Sequence, residues 1–209
     1  MVKNMKLEIK NATKKFSDKA ILSDFSLTFP KVGTVCLFGP SGCGKSTLLN
    51  CIAGLERLDS GILSIEQNTK VSYLFQEDRL LEWISAKENV AAVLRGSAKQ
   101  NAEQAENWLS LVGLKGEEDK LPAQLSGGMR QRVALARALA YGGELFLLDE
   151  PFHALDAESK DEMIALIKEK ARNSLKILVT HDFREAEQLA DVIFLLNGPP
   201  LQIVDTITK

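Results

Sequence analysis

The chain has 209 residues, of which 45% are hydrophobic, enough to bury the core of one domain with an inserted subdomain. Its net charge of −2 argues against a polybasic surface, so no direct binding of nucleic acid is expected. No apolar run reaches the length of a membrane span, and a membrane role would therefore need a partner.

The first third of the chain is predicted to be rich in strands, because short apolar stretches alternate with polar residues and turn signals. The predicted strands cover residues 6–9, 24–29, 34–38, 61–65 and 70–75. A helix is predicted over residues 45–54, where Gly54 closes it. Cys36, Cys43 and Cys51 lack metal-ligand spacing and are predicted to be reduced.

The middle of the chain changes to a helical pattern from about residue 77 to residue 140, with apolar residues at three-to-four spacing. The last part returns to strands: "ELFLLDE", "KILVTH" and "DVIFLLN" are continuous apolar runs, typical of buried parallel strands with helices between them. The run Gly198-Pro199-Pro200 predicts a turn before a short tail. The predicted fold class is therefore α/β.

A phosphate-binding loop is predicted between the strand 34–38 and the helix after it. Residues 39–46 have the spacing Gly-x-x-x-x-Gly-Lys-Ser, in which backbone N–H groups surround a phosphate, the lysine reaches the outer phosphates and the serine coordinates Mg²⁺. A glycine-rich turn would share these positions by chance in only about one chain in a hundred. The predicted nucleotide-binding residues are Gly39, Pro40, Ser41, Gly42, Cys43, Gly44, Lys45, Ser46 and Thr47, with Lys45 also catalytic and Ser46 also a metal ligand.

Two acids, Asp149 and Glu150, close the apolar strand "ELFLLDE". In a P-loop protein, an acid at the end of a neighbouring strand reaches the magnesium shell, and Asp149 is predicted to do so. Glu150 is predicted to be the base that polarises the attacking water. Without the P-loop, two acids that cap a helix would be the better interpretation.

The stretch "LSGGMRQR", residues 125–132, resembles the signature motif of the ATP-binding-cassette (ABC) ATPases, and it lies between the P-loop (Walker A) and the acidic strand in that family's order. Ser126 and the amides of Gly127 and Gly128 at a helix start would make a second anion site. The resemblance implies that this motif binds ATP held by an opposite subunit. Hydrolysis would then need a head-to-tail dimer.

Further single positions match the same family. The resemblance implies that Gln76 is the Q-loop glutamine, a catalytic residue that touches the Mg²⁺ and the attacking water, and that His181 is the catalytic switch histidine. Asp156 resembles the D-loop aspartate, and Phe16 resembles the aromatic residue that stacks on adenine, where the family often has Tyr. His153 is predicted to be a loop residue without a role.

"FQEDRLLEW", residues 75–83, is similar to the importer ATPases for nitrate, sulfonate and taurine, although Glu82 stands where a proline is frequent. The resemblance implies an energy-coupling subunit on the inner face of the cell membrane, with a transmembrane permease, a solute-binding protein and a second copy of itself as partners. Leu80, Leu81 and Trp83 are predicted to receive a helix of the permease.

The resemblance implies one ABC ATPase domain over residues 1–209, with a mainly parallel sheet and N-terminal antiparallel strands. Residues 1–76 and 141–209 would form the nucleotide-binding core, and residues 77–140 the helical subdomain with the signature motif. The alternative function is a soluble cassette ATPase that acts on nucleic acid or ribosomes, but such chains usually carry two cassettes or a long coiled-coil insertion. A P-loop GTPase or small-molecule kinase is disfavoured by the signature motif.

Overall fold

The computed structural model describes residues 6–209, which form two compact units of an α/β protein. The first unit contains the described residues up to Tyr73, together with Gly143–Glu150 and Arg172–Lys209. The second unit contains Leu74–Gly142 and Pro151–Ala171. Within residues 6–209, no helix combines the length and the apolar composition needed to cross a bilayer.

Strands and helices follow one another in an order that places most strands in the first unit. The strands are β1 (Leu7–Phe16), β2 (Lys19–Thr28), β3 (Gly33–Phe38), β4 (Ser60–Ile65), β5 (Val71–Leu74), β6 (Leu145–Asp149), β7 (Leu175–Thr180), β8 (Val192–Asn197) and β9 (Gln202–Thr208). The helices are α1 (Lys45–Ile52), α2 (Ala86–Ala91), α3 (Ala98–Leu111), α4 (Gly127–Tyr141), α5 (Ala157–Lys170) and α6 (Phe183–Leu189), with a 3₁₀ turn at Pro122–Gln124.

The strands form two sheets, and the larger one positions the predicted chemistry. An antiparallel sheet has the order β2-β1-β4, and a six-stranded sheet has the order β5-β6-β7-β3-β8-β9. In the larger sheet β6, β7, β3 and β8 are paired in parallel, so their carboxyl ends lie along one edge. Every residue of β6 and β7 is buried, as their continuous apolar runs predict.

Two predictions about strands were wrong. The N-terminal strands β1 and β2 are each ten residues long and form a continuous pair, whereas only residues 6–9 and 24–29 were predicted. Register shifts occur within this pair, and Asn11 and Asp24 adopt positive φ, so the apolar alternation is broken although the two strands stay paired. The predicted tail contains β9, which pairs antiparallel with β8 at the sheet edge.

In the second unit, helices α2, α3 and α4 pack against one another. Ser85 and Ser97 open α2 and α3 with capping boxes, in which the serine hydroxyl accepts the backbone N–H of the third helical residue. The sequence-based division assigned residues 141–209 to the nucleotide-binding core, whereas the compact units group Pro151–Ala171 with these helices. One contact inside that unit is the hydrogen bond from Gln131 Nε2 of α4 to the carbonyl oxygen of Pro151, 2.8 Å long.

Candidate nucleotide-binding site

The predicted phosphate loop joins the end of β3 to the start of α1. Gly42 and Gly44 have φ of 77° and 116°, a region that favours glycine, and a Cβ at Gly42 would face open space. A Cβ at Gly39 would lie 2.5 Å from the carbonyl oxygen of Leu196, so only glycine fits there. The loop is thus an exposed turn of backbone at the amino end of α1, the arrangement that binds phosphate.

Lys45, the first residue of α1, folds back over this loop. Its Nζ donates hydrogen bonds to the carbonyl oxygens of Gly39, at 2.7 Å, and Pro40, at 2.8 Å, and lies 3.8 Å from Sγ of Cys43. The side chain is buried, with 6% of its surface exposed. Its acceptors are neutral carbonyls, and a phosphate oxygen would bind the ammonium group more strongly.

Asp149 ends β6 with a buried carboxylate whose Oδ1 has no hydrogen-bond partner among residues 6–209. Burial raises the pKa of this carboxyl, while a hydrogen bond with the Ser46 side chain opposes the shift. An unpaired carboxylate oxygen beside a hydroxyl fits Mg²⁺, which prefers oxygen ligands. No group of three His, Cys, Asp or Glu side chains forms a metal cage within those residues. Mg²⁺ does not need one, because it usually takes one or two protein carboxylates plus phosphate oxygens and water.

Glu150 and His181 form a pair at the carboxyl ends of β6 and β7. Oε1 of Glu150 lies 2.8 Å from Nδ1 of His181, and the hydrogen bond with Glu150 raises the pKa of the histidine. Glu150 has a φ of 48°, which is unusual for a side chain of this size, and its backbone N–H donates to the carbonyl oxygen of Val179 at 2.9 Å. The pairing to β7 fixes a strained backbone that orients the carboxylate.

Phe16 lies at the end of β1 with 45% of its surface exposed. The ammonium group of Lys14 lies 4.8 Å from the centre of the Phe16 ring and 3.0 Å from a carboxylate oxygen of Glu56. An exposed aromatic ring can stack on a base, and this one keeps that prediction open.

In the second unit, the signature stretch forms the start of α4. The Ser126 hydroxyl accepts the backbone N–H of Met129 at 3.3 Å and caps the helix. The N–H groups of Gly127 and Gly128 lie in the same first turn, where the helix provides no carbonyl acceptor. A Cβ at Gly127 would face open space, whereas one at Gly128 would lie 2.9 Å from the carbonyl oxygen of Ala154. The helix start is therefore open on the Gly127 side and closed on the Gly128 side.

A cleft of about 650 Å³ opens in the second unit beside this helix start. Gln76, Asp78, Gly127, Arg130 and His153 are among the residues that line it. His153 was predicted to have no role, and no spacing rule would have connected it to this cleft. Asp156, which resembles the D-loop aspartate, caps α5. Its carboxylate accepts the Ser159 N–H at 2.9 Å and the Ser159 hydroxyl at 3.1 Å.

The predicted site residues thus divide between the two units. Lys45, Ser46, Asp149, Glu150 and His181 are grouped in the first unit, where their side chains contact or lie beside one another. Gln76 and residues 126–128 belong to the second unit. The predicted metal and catalytic roles of Gln76 and the roles of individual loop residues stay predictions.

Comparison with known proteins decides which family this is. Residues 22–153 match the ABC transporter family. The chain belongs to this family. The ABC chain is 43% identical over 198 residues to the taurine import ATP-binding protein TauB of Pseudomonas aeruginosa, an alignment that covers 89% of this chain and 75% of TauB. It is 40% identical over 221 residues to the sulfate/thiosulfate import ATP-binding protein CysA of Vibrio vulnificus, covering 97% of this chain and 64% of CysA.

The fold has solved counterparts as well. The ABC chain superposes on the ATP-binding cassette MJ0796, solved as a dimer in a post-hydrolysis state with ADP and Pi, with a TM-score of 0.87 and 28% identity, covering 97% of this chain and 98% of that one. These similarities confirm the predicted fold class and the predicted ATP-binding-cassette ATPase. They also confirm the resemblance to the taurine and sulfonate importer group.

Proposed function

We propose that this ABC chain is the ATP-hydrolysing, energy-coupling subunit of an importer for a small sulfur oxyanion, such as a sulfonate or sulfate. The observation that carries the enzymatic part is the unpaired Oδ1 of buried Asp149 next to Ser46, with the Glu150–His181 pair at the same carboxyl edge of the sheet. The solute class rests on the names of TauB and CysA, which are import proteins for taurine and for sulfate/thiosulfate. All three solutes carry an oxygen-rich anionic sulfur group.

Binding of ATP uses the phosphate loop of the first unit. The loop amides donate to phosphate oxygens. Lys45 exchanges its hydrogen bonds to the carbonyl oxygens of Gly39 and Pro40 for a charge-assisted hydrogen bond to a phosphate oxygen. The Ser46 hydroxyl and Asp149 Oδ1 would hold Mg²⁺, which supplies Lewis acidity when bound. The exposed ring of Phe16 stacks on the adenine.

Hydrolysis requires a base held at the carboxyl end of β6. Glu150 accepts a proton from the attacking water, and the strained backbone of this residue holds its carboxylate in place. The contact with His181 keeps Oε1 of Glu150 oriented, and protonation of His181 occupies the same oxygen with a charged donor. His181 is therefore placed to control proton transfer from the water to Glu150.

The first proposed partner is a second copy of the chain, because the start of α4 in the second unit is open on the Gly127 side. We propose that residues 126–128 bind ATP held by a second copy of the chain, as the dimeric state of the MJ0796 cassette supports. A transmembrane permease would carry the solute and a solute-binding protein would deliver it. The chain would then lie at the cytoplasmic face of the membrane.

The enzymatic proposal is tested with two variants of the purified chain. Lys45→Ala removes the cation of the phosphate loop and should lose most ATP binding. Glu150→Gln keeps the shape of the side chain but cannot accept a proton, so ATP should still bind while turnover falls by about 10²-fold or more. Turnover near the wild-type rate in Glu150→Gln would exclude this residue as the base.

The assembly proposal is tested in the same Glu150→Gln background. With ATP, light scattering should show a dimer with two bound nucleotides, and without ATP mainly a monomer. Adding Lys45→Ala should abolish the mass increase. A chain that stays monomeric with ATP bound at high concentration would contradict the shared site.

A further inference from the structure

Two arginines of α4 hold the segment that follows Gln76. Arg130 lies in the first turns of α4, within the signature stretch 125–132, and Arg137 lies seven residues further along. Seven residues are almost two helical turns, so both side chains leave the same face of the helix. Their partners lie up to 59 residues earlier in the chain, within the same compact unit.

Arg130 binds the side chains of this segment. Its Nε donates to Oδ2 of Asp78 at 2.8 Å, and one terminal nitrogen donates to Oδ1 of Asp78 at 3.3 Å and to Oε1 of Glu82 at 2.6 Å. Burial would raise the pKa of the Asp78 carboxyl, but the Arg130 guanidinium and the Leu80 N–H hold it below its usual value. Asp78 is thus an ionised partner in a two-point contact, the strongest kind of side-chain hydrogen bond.

Arg137 binds the backbone of the same segment. Its terminal nitrogens donate to the carbonyl oxygens of Asp78, at 2.8 Å, and Arg79, at 3.0 Å. Arg79 has a φ of 47°, so this contact secures a turn that a residue with a long side chain seldom adopts. The Arg79 guanidinium lies 3.7 Å from the centre of the Phe75 ring and covers the residue before Gln76.

These contacts leave residues 77–83 little freedom to move separately from the start of α4. We propose that Arg130 is a positioning residue that makes the start of α4, residues 126–130, and the segment after Gln76, residues 77–83, move as one body. Arg137 adds a second attachment of that segment to α4 through the carbonyls of Asp78 and Arg79. The inference rests on the proposed function, in which residues 126–128 bind the ATP of a second copy. ATP-driven dimerisation would fix residues 126–128 against the second copy. Through Arg130 it would then also restrict the motion of residues 77–83, without any contact between this segment and ATP.

The ion pair is accessible enough to be changed without unfolding the subdomain. Arg130, Asp78 and Glu82 keep 27%, 19% and 53% of their side-chain surface exposed. Lys87 provides a matched control, because its Nζ pairs in the same unit with Glu106 at 3.2 Å and Asp119 at 3.0 Å, and neither partner belongs to residues 77–83 or 126–130. A purely stabilising ion pair should respond as Lys87 does.

The test is hydrogen–deuterium exchange of backbone amides in the full chain, in the Glu150→Gln background, with and without ATP. In that background, dimer formation should slow exchange in both 126–130 and 77–83 by about tenfold. With Arg130→Met, residues 126–130 should still be protected by ATP, while the protection of 77–83 should be lost. Asp78→Asn breaks the same pair from the other side and should give the same result. Lys87→Met should leave both segments protected, and Arg130→Lys should restore part of the protection of 77–83.

Each outcome of this experiment decides something. ATP-dependent protection of 77–83 that survives in both Arg130→Met and Asp78→Asn would overturn the role of Arg130 and leave the proposed function intact. Equal loss in Lys87→Met would reduce the role of Arg130 to general stability. If ATP protects neither segment in the Glu150→Gln chain, the shared nucleotide site fails, and this inference fails with it.

Discussion

The neighbouring glycines at the start of α4, Gly127 and Gly128, differ in what an added Cβ atom would contact. The position of a Cβ is open at Gly127, whereas at Gly128 it lies 2.9 Å from the carbonyl oxygen of Ala154. A methyl group at 127 would therefore meet only a ligand or a partner. A methyl group at 128 would push against backbone of its own unit.

The two alanine variants are predicted to fail in different ways. Gly127→Ala should keep or slightly raise the melting temperature, because alanine favours helix, but should lower ATP turnover by about tenfold or more by blocking the approach of the second subunit's phosphate. Gly128→Ala should lower the free energy of unfolding by about 1–3 kcal/mol, since backbone must shift. Thermal unfolding and ATPase assays separate the two. Wild-type turnover in Gly127→Ala would argue against the anion site.

His181 gives the first unit a small pH-dependent stability. Its pKa is raised above the ordinary 6.5 by the hydrogen bond with Glu150, so the contribution is complete below that value and is lost as pH rises through the raised pKa. The His181 side chain is 64% exposed, and solvent screening keeps the contribution below about 1 kcal/mol. His181→Gln should therefore lower the free energy of unfolding slightly near about pH 5.5 and not at all near about pH 9. Urea titrations at both values measure this, and an equal loss at both would assign His181 an uncharged packing role.

At the scale of elements, the start of α2 depends on one buried amide. Asn89 is fully buried, and its Nδ2 donates to the carbonyl oxygens of Leu81, Ile84 and Ser85, while its Oδ1 accepts the Leu81 N–H at 2.8 Å. This side chain replaces the backbone partners that an irregular segment lacks. It ties the turn before α2 to the helix itself.

Asn89→Leu should destabilise the chain by about 2–4 kcal/mol, because the Leu81 N–H and the Ile84 carbonyl lose hydrogen bonds that an aliphatic side chain cannot replace. Asn101 is the control, since it is only partly buried and its Nδ2 makes one 3.3 Å bond to the carbonyl oxygen of Leu94. Asn101→Leu should cost less than about 1 kcal/mol. Chemical denaturation of both variants measures the difference. Similar losses would show that the turn before α2 does not depend on Asn89.

These elements also show what the sequence could and could not predict. The buried strands β6 and β7 and the loop before α1 were predictable, because continuous apolar runs and fixed glycine spacing are local signals. The full length of β1 was not predictable, because bulges interrupt its apolar alternation. Strand β9 was not predictable either, because it is an edge strand whose residues are mostly exposed. The contact of Arg130 with Asp78 spans 52 residues and has no spacing signal. Long-range polar contacts are set by packing, which periodicity does not encode.

At the scale of the whole molecule, the chain passes between its units close to the predicted chemistry. The boundary at residues 73–74 comes shortly before Gln76, and the boundary at residues 150–151 comes directly after Glu150. A change at either residue therefore reaches the other unit over a short covalent path. The surface after Gln76 is the proposed contact with the permease, to which a change at the nucleotide would be passed on.

The side chains of that surface differ in exposure, which corrects one prediction. Leu80 is buried, with 7% of its surface exposed, so it belongs to the packing of the second unit and is not available to a partner. Leu81 is 37% exposed and Trp83 is 75% exposed. Trp83 is therefore the stronger candidate for contact with the permease, since exposed tryptophans are frequent centres of binding energy.

Trp83→Ala should leave the melting temperature and the ATPase activity of the isolated chain near wild type, because the ring is largely outside the fold. In the assembled transporter it should weaken permease binding by about 2 kcal/mol or more and abolish most ATP-dependent solute uptake. Leu111→Ala is the control, since Leu111 is a 45% exposed apolar residue of α3 in the same unit, and it should affect neither measurement. Co-purification with the permease and uptake in vesicles provide both readings. Normal uptake with Trp83→Ala would place the permease contact elsewhere, and unfolding of this variant would assign the ring to the packing of the second unit.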